Sequence, residues 1–480
     1  MIGGLKCKCD WNGVEQILFL TGKLAERGLE RILQAMQPAD FTYRVLNIGV
    51  NVAALMSAEM INRRLQDVNG IDRIIVPGLC AGDLDQSSRR FGIPILRGPD
   101  EMKDLPAFFG QGAKARPLDR YTIRIFAEIV EAPRMEIEAI IKQADAYVRD
   151  GANVIDLGCL PAVPFPHLEA SIAALRERGY QISVDSLETD DLLRGARSGA
   201  HYLLSLKEST VDLAGDVDAV PVLIPERAGD LDSLFRAIDV MLARGQPFLA
   251  DSVLDPIHFG LTESLVRYSQ LRQRYPGIEI MMGTGNLSEL TDADTTGLNA
   301  FMLGILSELR IDNLLTTQVS AHARSVVREL DTGRRIMFAA REDASLPRGY
   351  DGSLLTVHDR KPFPYTESEI AETATEIRDP SYRVQVSEVG IHVYNRDGMV
   401  TARDPFDLFP HLKELESDAP HAFYMGVELA RAQLAWQLGK RYMQDEPLRW
   451  GCAARDQVRR DPNALHAYKP SGSTLGKAKK

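Results

Sequence analysis

Two aspartates sit near the ends of short apolar runs that follow one another in the chain: Asp156 in NVIDLG and Asp185 in QISVDS. Such runs alternate with amphipathic helical patterns, which implies a parallel sheet. Parallel strands are buried on both faces, so a carboxylate inside one is costly unless a partner needs it. Two on consecutive strands point to a shared pocket at the C-terminal strand ends. Further polar residues fall at the same place in the pattern. They are Glu128, Ser205 with Lys207 and Glu208, Glu226, Asp251 with Asp255 and His258, Thr284 with Asn286, and Gln318. The set is strongly acidic. Carboxylates converging in a dry pocket suit a ligand rich in N–H donors, or a cation. A salt bridge at a strand end is the bland explanation for any one of them. It is a poor one for Asp156, Asp185 and Asp255 together.

The opposite charge follows the last strand. Ser320 is expected to cap a helix N-terminus, whose free amides and positive dipole end favour anions. Arg324 and Arg328 lie at i and i+4, with His322 nearby. A phosphate site near the last two strands is one reading. A solvated basic helix face is the other.

The elements that must carry these residues are regular. From Tyr121, eight strand–helix units follow, with strands at YTIRIFAEIV, NVIDLG, QISVDS, HYLLSL, VPVLIP, PFLAD, IEIMMG and DNLLTTQV. Eight units are what a closed (β/α)8 barrel needs, and it is expected over 115–344. Its first helix is expected to start at Pro133 and stop at Gly151. Residues 1–114 read as a doubly wound, Rossmann-like α/β domain. Gly22-Lys23 lacks the rest of a phosphate-loop pattern, and turn chemistry accounts for it. Residues 108–119, rich in Gly, Pro and charge, read as a linker. Residues 345–480 read as a small α+β domain. It has antiparallel strands, a hairpin turn at Arg396-Asp397-Gly398, and a long helix. Leu429, Leu434, Trp436, Leu438 and Tyr442 are expected to pack on that hairpin. His392, His411 and His421 have no ligand spacing. The tail after Asp461 is expected to be disordered.

Composition sets outer bounds. At 480 residues the chain exceeds one ordinary domain. A net charge of −11 argues against non-specific nucleic-acid binding, though not against a local basic pocket. Five scattered cysteines, Cys7, Cys9, Cys80, Cys159 and Cys452, suggest a reducing compartment rather than a disulfide framework. The Cys7-x-Cys9 pair has no second pair to complete a zinc site. With no signal-peptide pattern and no membrane-length apolar run, a cytoplasmic protein without membrane partners is expected.

GANVIDLG, ISVDS and GAHYLLSL together resemble the pterin-binding barrel of dihydropteroate synthases, which run GA-x-x-IDIG, ISVDT and GAH-x-IND over the same three strands. LADSVLDPIHFG is similar to that family's DPGFGF segment. The resemblance covers roughly 120–330. The three-domain layout resembles the synthase-like proteins linked to tetrahydromethanopterin synthesis.

The resemblance implies that Asp185 and Asp255 accept hydrogen bonds from a pterin's amino and ring N–H groups. Asp156 supports the pocket floor, and Ser205, Asp251 and Asn286 complete it. Glu128 replaces an Asn near a Mg²⁺-diphosphate. The implied reaction joins a dihydropterin-methyl diphosphate to an arylamine with release of diphosphate. Positioning and charge stabilisation would supply the catalysis.

Two departures stand out. The family's basic strand-seven segment is GTGNLSE here, and its strand-eight Arg-x-His is TTQVSAHARS. Lys207, His322 and Arg324 are the candidate substitutes, counted with Asp185 as catalytic. A changed amine fits these losses: 4-(ribofuranosyl)aminobenzene 5′-phosphate in place of p-aminobenzoate. Two alternatives stay open. One is a pterin-binding protein without catalysis. The other is a methyltetrahydropterin:corrinoid methyltransferase with Asn286 near pterin N5, although no D-x-H-x-x-G cobalamin motif is present. A homodimer through outer helices is also expected as common for such barrels.

Overall fold

The computed structural model describes residues 14–100, 102–110, 117–413 and 415–455. Cys7, Cys9, linker residues 111–116 and the tail after Asp461 lie outside the described residues. The described residues up to 110 form one compact unit with 361–446, and 117–360 form a second with 447–455. Among the described residues, no helix is long and apolar enough to cross a membrane.

In the first unit, β1 (Glu15–Thr21), β2 (Phe41–Asn47), β3 (Arg73–Val76) and β4 (Ile95–Arg97) form a parallel sheet in the order β2-β1-β3-β4. Strand alternation sends Ile17, Phe19 and Ile75 to one face, against Leu29 and Leu33 of helix Glu26–Ala35. Leu18, Leu20, Ile74 and Val76 go to the other, against Ile61 and Leu84 of helices Ala58–Arg64 and Leu84–Phe91. Helices on both faces make it doubly wound, as expected. An antiparallel sheet of β13 (Arg383–Ser387), β14 (Gly390–Asn395) and β15 (Gly398–Ala402) belongs to the same unit. Helix Ala419–Leu438 buries Met425, Leu429, Ala432 and Ala435. Leu434, expected in that packing, is exposed, because it falls off the stripe those four define. His392 is fully buried between the hydroxyls of Ser387 and Thr401, at 2.7 and 2.9 Å, which is a structural role.

The second unit is the barrel. Its strands are β5 (Arg124–Ile129), β6 (Val154–Gly158), β7 (Gln181–Asp185), β8 (Tyr202–Leu206), β9 (Val220–Leu223), β10 (Leu249–Ala250), β11 (Glu279–Gly283) and β12 (Asn313–Thr317). They close in chain order, β12 pairing with β5. Outward residues such as Ile125, Ala127, Ile155 and Leu157 pack under the helices. Inward residues Phe126, Val154, Tyr202, Leu204, Val222, Leu249 and Met281 fill the interior, so the barrel is a packed core and not a pore. The first helix runs Ile137–Asp150 and ends at Gly151 as expected. Pro133 does not start it. That proline sits in a separate 3₁₀ turn, Ala132–Arg134, ahead of the helix.

The N-terminal end of the barrel is locked by two arginines. Arg124 Nε donates to Asn313 Oδ1 at 2.9 Å and Nη1 to the Tyr202 hydroxyl at 2.8 Å. Arg334, on helix Val326–Glu342, is almost fully buried. Its Nη1 donates to Ile123 O at 2.6 Å, its Nη2 to Gly151 O at 2.9 Å, and it pairs with Asp331 at 2.6 Å. The guanidinium also lies 3.6 Å from the Tyr121 ring centroid. This one side chain joins the last helix to the first two strands, so it seals the closure. Lysine cannot reach these acceptors together. Arg334→Lys is expected to cost ~2–3 kcal/mol of unfolding free energy and Arg334→Met ~3–5 kcal/mol, because the latter strands the buried acceptors Ile123 O and Gly151 O. Urea melts of both variants check this; a loss under ~1 kcal/mol for Arg334→Met would remove Arg334 as the seal.

Candidate functional site

Alternation along β5 turns Arg124, Phe126 and Glu128 inward, from the locked end toward the C-terminal end. On β6 it turns Val154, Asp156 and Gly158 inward. The register sets Glu128 beside Asp156, Asp156 beside Ser183, and Gly158 beside Asp185. Glu128 and Asp156 therefore share one level, and Asp185 stands one step closer to the mouth. Gly158 makes room for this, since a Cβ there would collide with Glu128 Oε1.

The hydroxyls arrive by different routes. Ser183, two residues before Asp185 on the same face, donates to Asp156 Oδ1 at 2.5 Å. Ser205 requires a break in β8, whose register shifts between Leu203 and Leu206. Ser205 sits there at φ +69°, a left-handed conformation that costs a non-glycine residue about 1–2 kcal/mol. The distortion lets its Oγ donate to Asp185 Oδ1 at 2.6 Å. Strain of this kind concentrates at functional sites.

The electrostatics follow from burial. Burial, and then the nearby Asp185, pushes the Glu128 carboxyl up to about 7. Burial raises Asp156 well above the usual carboxylate range. Asp185 and Glu128 add to this, and the Ser183 hydrogen bond only partly opposes it. Burial also raises Asp185, against the Ser205 hydrogen bond. Asp156 Oδ2 is buried without a hydrogen-bond partner among the described residues. All three shifts run the same way, so burial and mutual repulsion disfavour ionising the three carboxyls together.

On the far side of the mouth, the expected acceptors are tied into loops. Asp251 accepts from the Tyr268 hydroxyl at 2.5 Å and from Val253 N at 2.7 Å. Burial pushes it up to about 6 against those bonds, and Asp185 adds to the rise. Asp255 is ion-paired with Arg267 at 2.6 Å. That departs from the expectation of a free acceptor, since one carboxylate oxygen is committed to a guanidinium. Asn286 Nδ2 donates to Leu254 O at 2.8 Å, joining the two loops.

The basic residues fare differently. Lys207 is the half-buried residue just past β8, and its ammonium makes no ion pair among the described residues. His322 Nε2 is 3.1 Å from Ser288 O, and Arg324 is exposed. Ser320 does not cap a long helix. It precedes a 3₁₀ turn, Ala321–Ala323, without a side-chain cap, and the helix proper begins at Val326. The amides expected to hold an anion are already taken. Val319 N and Ser320 N each donate to Glu289 at 2.8 Å, and the Thr317 hydroxyl adds a third bond at 3.2 Å. Burial opposes the charge on Glu289, but these bonds prevail and hold its carboxyl below the usual range. An internal carboxylate fills the place expected for a phosphate. Among the described residues, no group of three or more His, Cys, Asp or Glu side chains is placed to hold a metal ion.

Ser183, Arg267, Tyr268 and Glu289 were not expected in the site. Ser183 had a signal, since it shares the inward face with Asp185. The other three had none, because their partners come from separate loops. The closest match to the synthase pattern is also divided in role. His201 of the GAH motif lies at the opposite end of β8, where its Nδ1 accepts from Ile182 N at 3.1 Å.

Residues 15–100 match a family of unknown function (DUF6513). An uncharacterized protein of Methanocaldococcus jannaschii is 25% identical over 90% of this chain and 98% of its own length. Similar solved structures include a Yersinia pestis dihydropteroate synthase with a pterine-sulfa conjugate (16% identity, TM-score 0.37, 47% of this chain and 95% of that one). They also include the Thermus thermophilus enzyme (20%, 0.36, 46% and 95%). The Xanthomonas albilineans enzyme in complex with 7,8-dihydropteroate is a third (17%, 0.37, 48% and 96%). Similarity at this level says nothing about ligands or chemistry.

The raised Glu128 carboxyl gives a signed expectation. A carboxyl whose folded value lies above its unfolded value of 4.5 costs nothing well below that pH. Its cost grows as pH rises toward about 7 and is fully present above it. Glu128→Gln should therefore gain on the order of 1–3 kcal/mol over the native chain at pH 8 and close to nothing at pH 4.5. Denaturant melts across that range measure it, and a gain independent of pH contradicts the shared-proton account.

Proposed function

We propose that the C-terminal end of the barrel binds a pterin through its aminopyrimidinone edge, and that the protein is a dihydropteroate synthase-like transferase. One observation carries the reading: Glu128, Asp156 and Asp185 converge on adjacent strands, with an orphaned acceptor at Asp156 Oδ2. A ligand that presents several N–H groups satisfies such a site and lowers the cost of ionising it. Asp185, oriented by Ser205, takes the amino and ring N–H pair. Asp156, held by Ser183, forms the floor. Asp251 and Asp255 fix the loop that closes the far side.

In the transfer step, an arylamine nitrogen attacks the methylene carbon of a dihydropterin-methyl diphosphate. The C–N bond forms as the C–O bond to diphosphate breaks. Glu128, poised near neutrality, takes the amine proton. Lys207, unpaired just past β8, meets the departing charge. Mg²⁺ would fall to Glu128, but among the described residues no group of three or more ligating side chains surrounds that position, so no step is drawn through a metal. The proposed amine is 4-(ribofuranosyl)aminobenzene 5′-phosphate, in a tetrahydromethanopterin-type pathway. What supports a changed amine is the sequence, where GTGNLSE and TTQVSAHARS stand in place of the basic segments of the synthases.

A second reading is pterin binding without turnover. It is favoured by the exposure of Arg324 and the engagement of His322 with Ser288. Methyl transfer to a corrinoid has less support, because the Asn286 amide is committed to Leu254 O.

Incubation with 6-hydroxymethyl-7,8-dihydropterin diphosphate and each amine separates the readings. Diphosphate release with a C–N product supports transfer, and tight binding without release supports the second. Asp185→Asn is expected to weaken pterin binding at least thirtyfold, about 2 kcal/mol. Lys207→Met should slow diphosphate release tenfold or more with pterin affinity within about threefold. Unchanged pterin affinity in Asp185→Asn would remove this edge of the barrel as the binding site.

A further inference from the structure

A second site lies on the outer wall of the barrel unit. Segment 447–455 runs back over the last helix, Val326–Glu342. Cys452 N donates to Ser353 O at 2.8 Å, and Cys452 Sγ lies 3.3 Å from the Thr332 hydroxyl. Arg455 Nη2 pairs with Asp150 Oδ1 at 2.8 Å. Gly451, at φ +50°, is required, because a Cβ there would collide with Ser353 O. The segment and the helix form an open cavity of about 380 Å³, lined by Asp150, Arg328, Thr332, Ser353, Cys452 and Arg455 among others.

Arg328 is the anomaly. Its Nε and Nη1 are shut off from solvent with no hydrogen-bond partner, and it forms no ion pair among the described residues. Two guanidinium nitrogens denied both water and a hydrogen-bond acceptor are costly unless something else supplies the negative charge. The one lining carboxylate, Asp150, is already paired with Arg455. The lining therefore carries one positive charge in excess, with two hydroxyls beside it. Asp150 ends the first barrel helix, just before the turn into the N-terminal end of β6, so this cavity is remote from the carboxylate trio.

We propose that this cavity is an oxyanion site, taking a carboxylate or a phosphate monoester group, with Arg328 as its ion-pair partner and Thr332 as a hydroxyl donor. The charge, the hydroxyls and the closing segment fit a small anion or the anionic end of a larger metabolite. Occupancy ties the segment 447–455 to the last helix, so the bound state is more stable than the free one. The proposal does not depend on pterin chemistry at the barrel mouth.

The test uses the full chain with inorganic phosphate and acetate as probes, each against sodium chloride of equal ionic strength. A saturable rise in melting temperature with phosphate, acetate or both is expected. The more effective probe identifies the class of group preferred. Equilibrium dialysis with radiolabelled phosphate should show binding that survives Lys207→Met, weakens tenfold or more in Arg328→Met, and weakens severalfold in Thr332→Val. The threonine variant removes no charge and keeps the test open should Arg328→Met not fold. No saturable effect of either anion on the native chain overturns the proposal, as does binding of equal strength in Arg328→Met or Thr332→Val.

Discussion

Three carboxyls on adjacent strands, largely cut off from solvent, are costly to ionise together, and much of the barrel's C-terminal half is arranged around that fact. Inward alternation places Glu128, Asp156 and Asp185 there, and a packed interior beneath keeps bulk water out. Ser183 and Ser205 each give one carboxylate a hydroxyl. Gly158 leaves space for Glu128, and β8 accepts a strained residue at Ser205. The buried carboxyls and the strained Ser205 are costly for folding alone. They become intelligible if a ligand rich in N–H groups completes the cluster.

Stability is supplied at the other end. Arg124 and Arg334 close the barrel with hydrogen bonds to strands, to a turn and to the last helix. That division lets the mouth be electrostatically unfavourable while the fold survives, which is the usual economy of barrel enzymes. The loops of the far side are held by side-chain links: Tyr268 to Asp251, Arg267 to Asp255, Asn286 to Leu254. The pocket wall is therefore preformed.

Much of this was legible in the sequence. The eight strands, their order and the inward positions of Asp156 and Asp185 follow from period-two patterning between helical segments. The doubly wound sheet of β1–β4 was legible for the same reason. What escaped reading depended on partners distant in the chain. Asp255 looks like a free acceptor until Arg267 is seen beside it. Ser320 looks like a helix cap, but Glu289 reaches it from the preceding loop and the helix starts later. Arg328 looks like part of a basic face at the mouth, yet it turns to the outer wall under a segment more than a hundred residues further on. Local pattern fixes the element and the face; it does not disclose which charge a loop will bring.

The central claim is that the trio holds protons and surrenders them to a donor-rich ligand. Calorimetry of 6-hydroxymethyl-7,8-dihydropterin binding near pH 7, repeated in buffers of different ionisation enthalpy, measures the protons exchanged. Net release on binding is predicted, and it should shrink in Glu128→Gln. Binding with no proton exchange, or with uptake, would contradict the account.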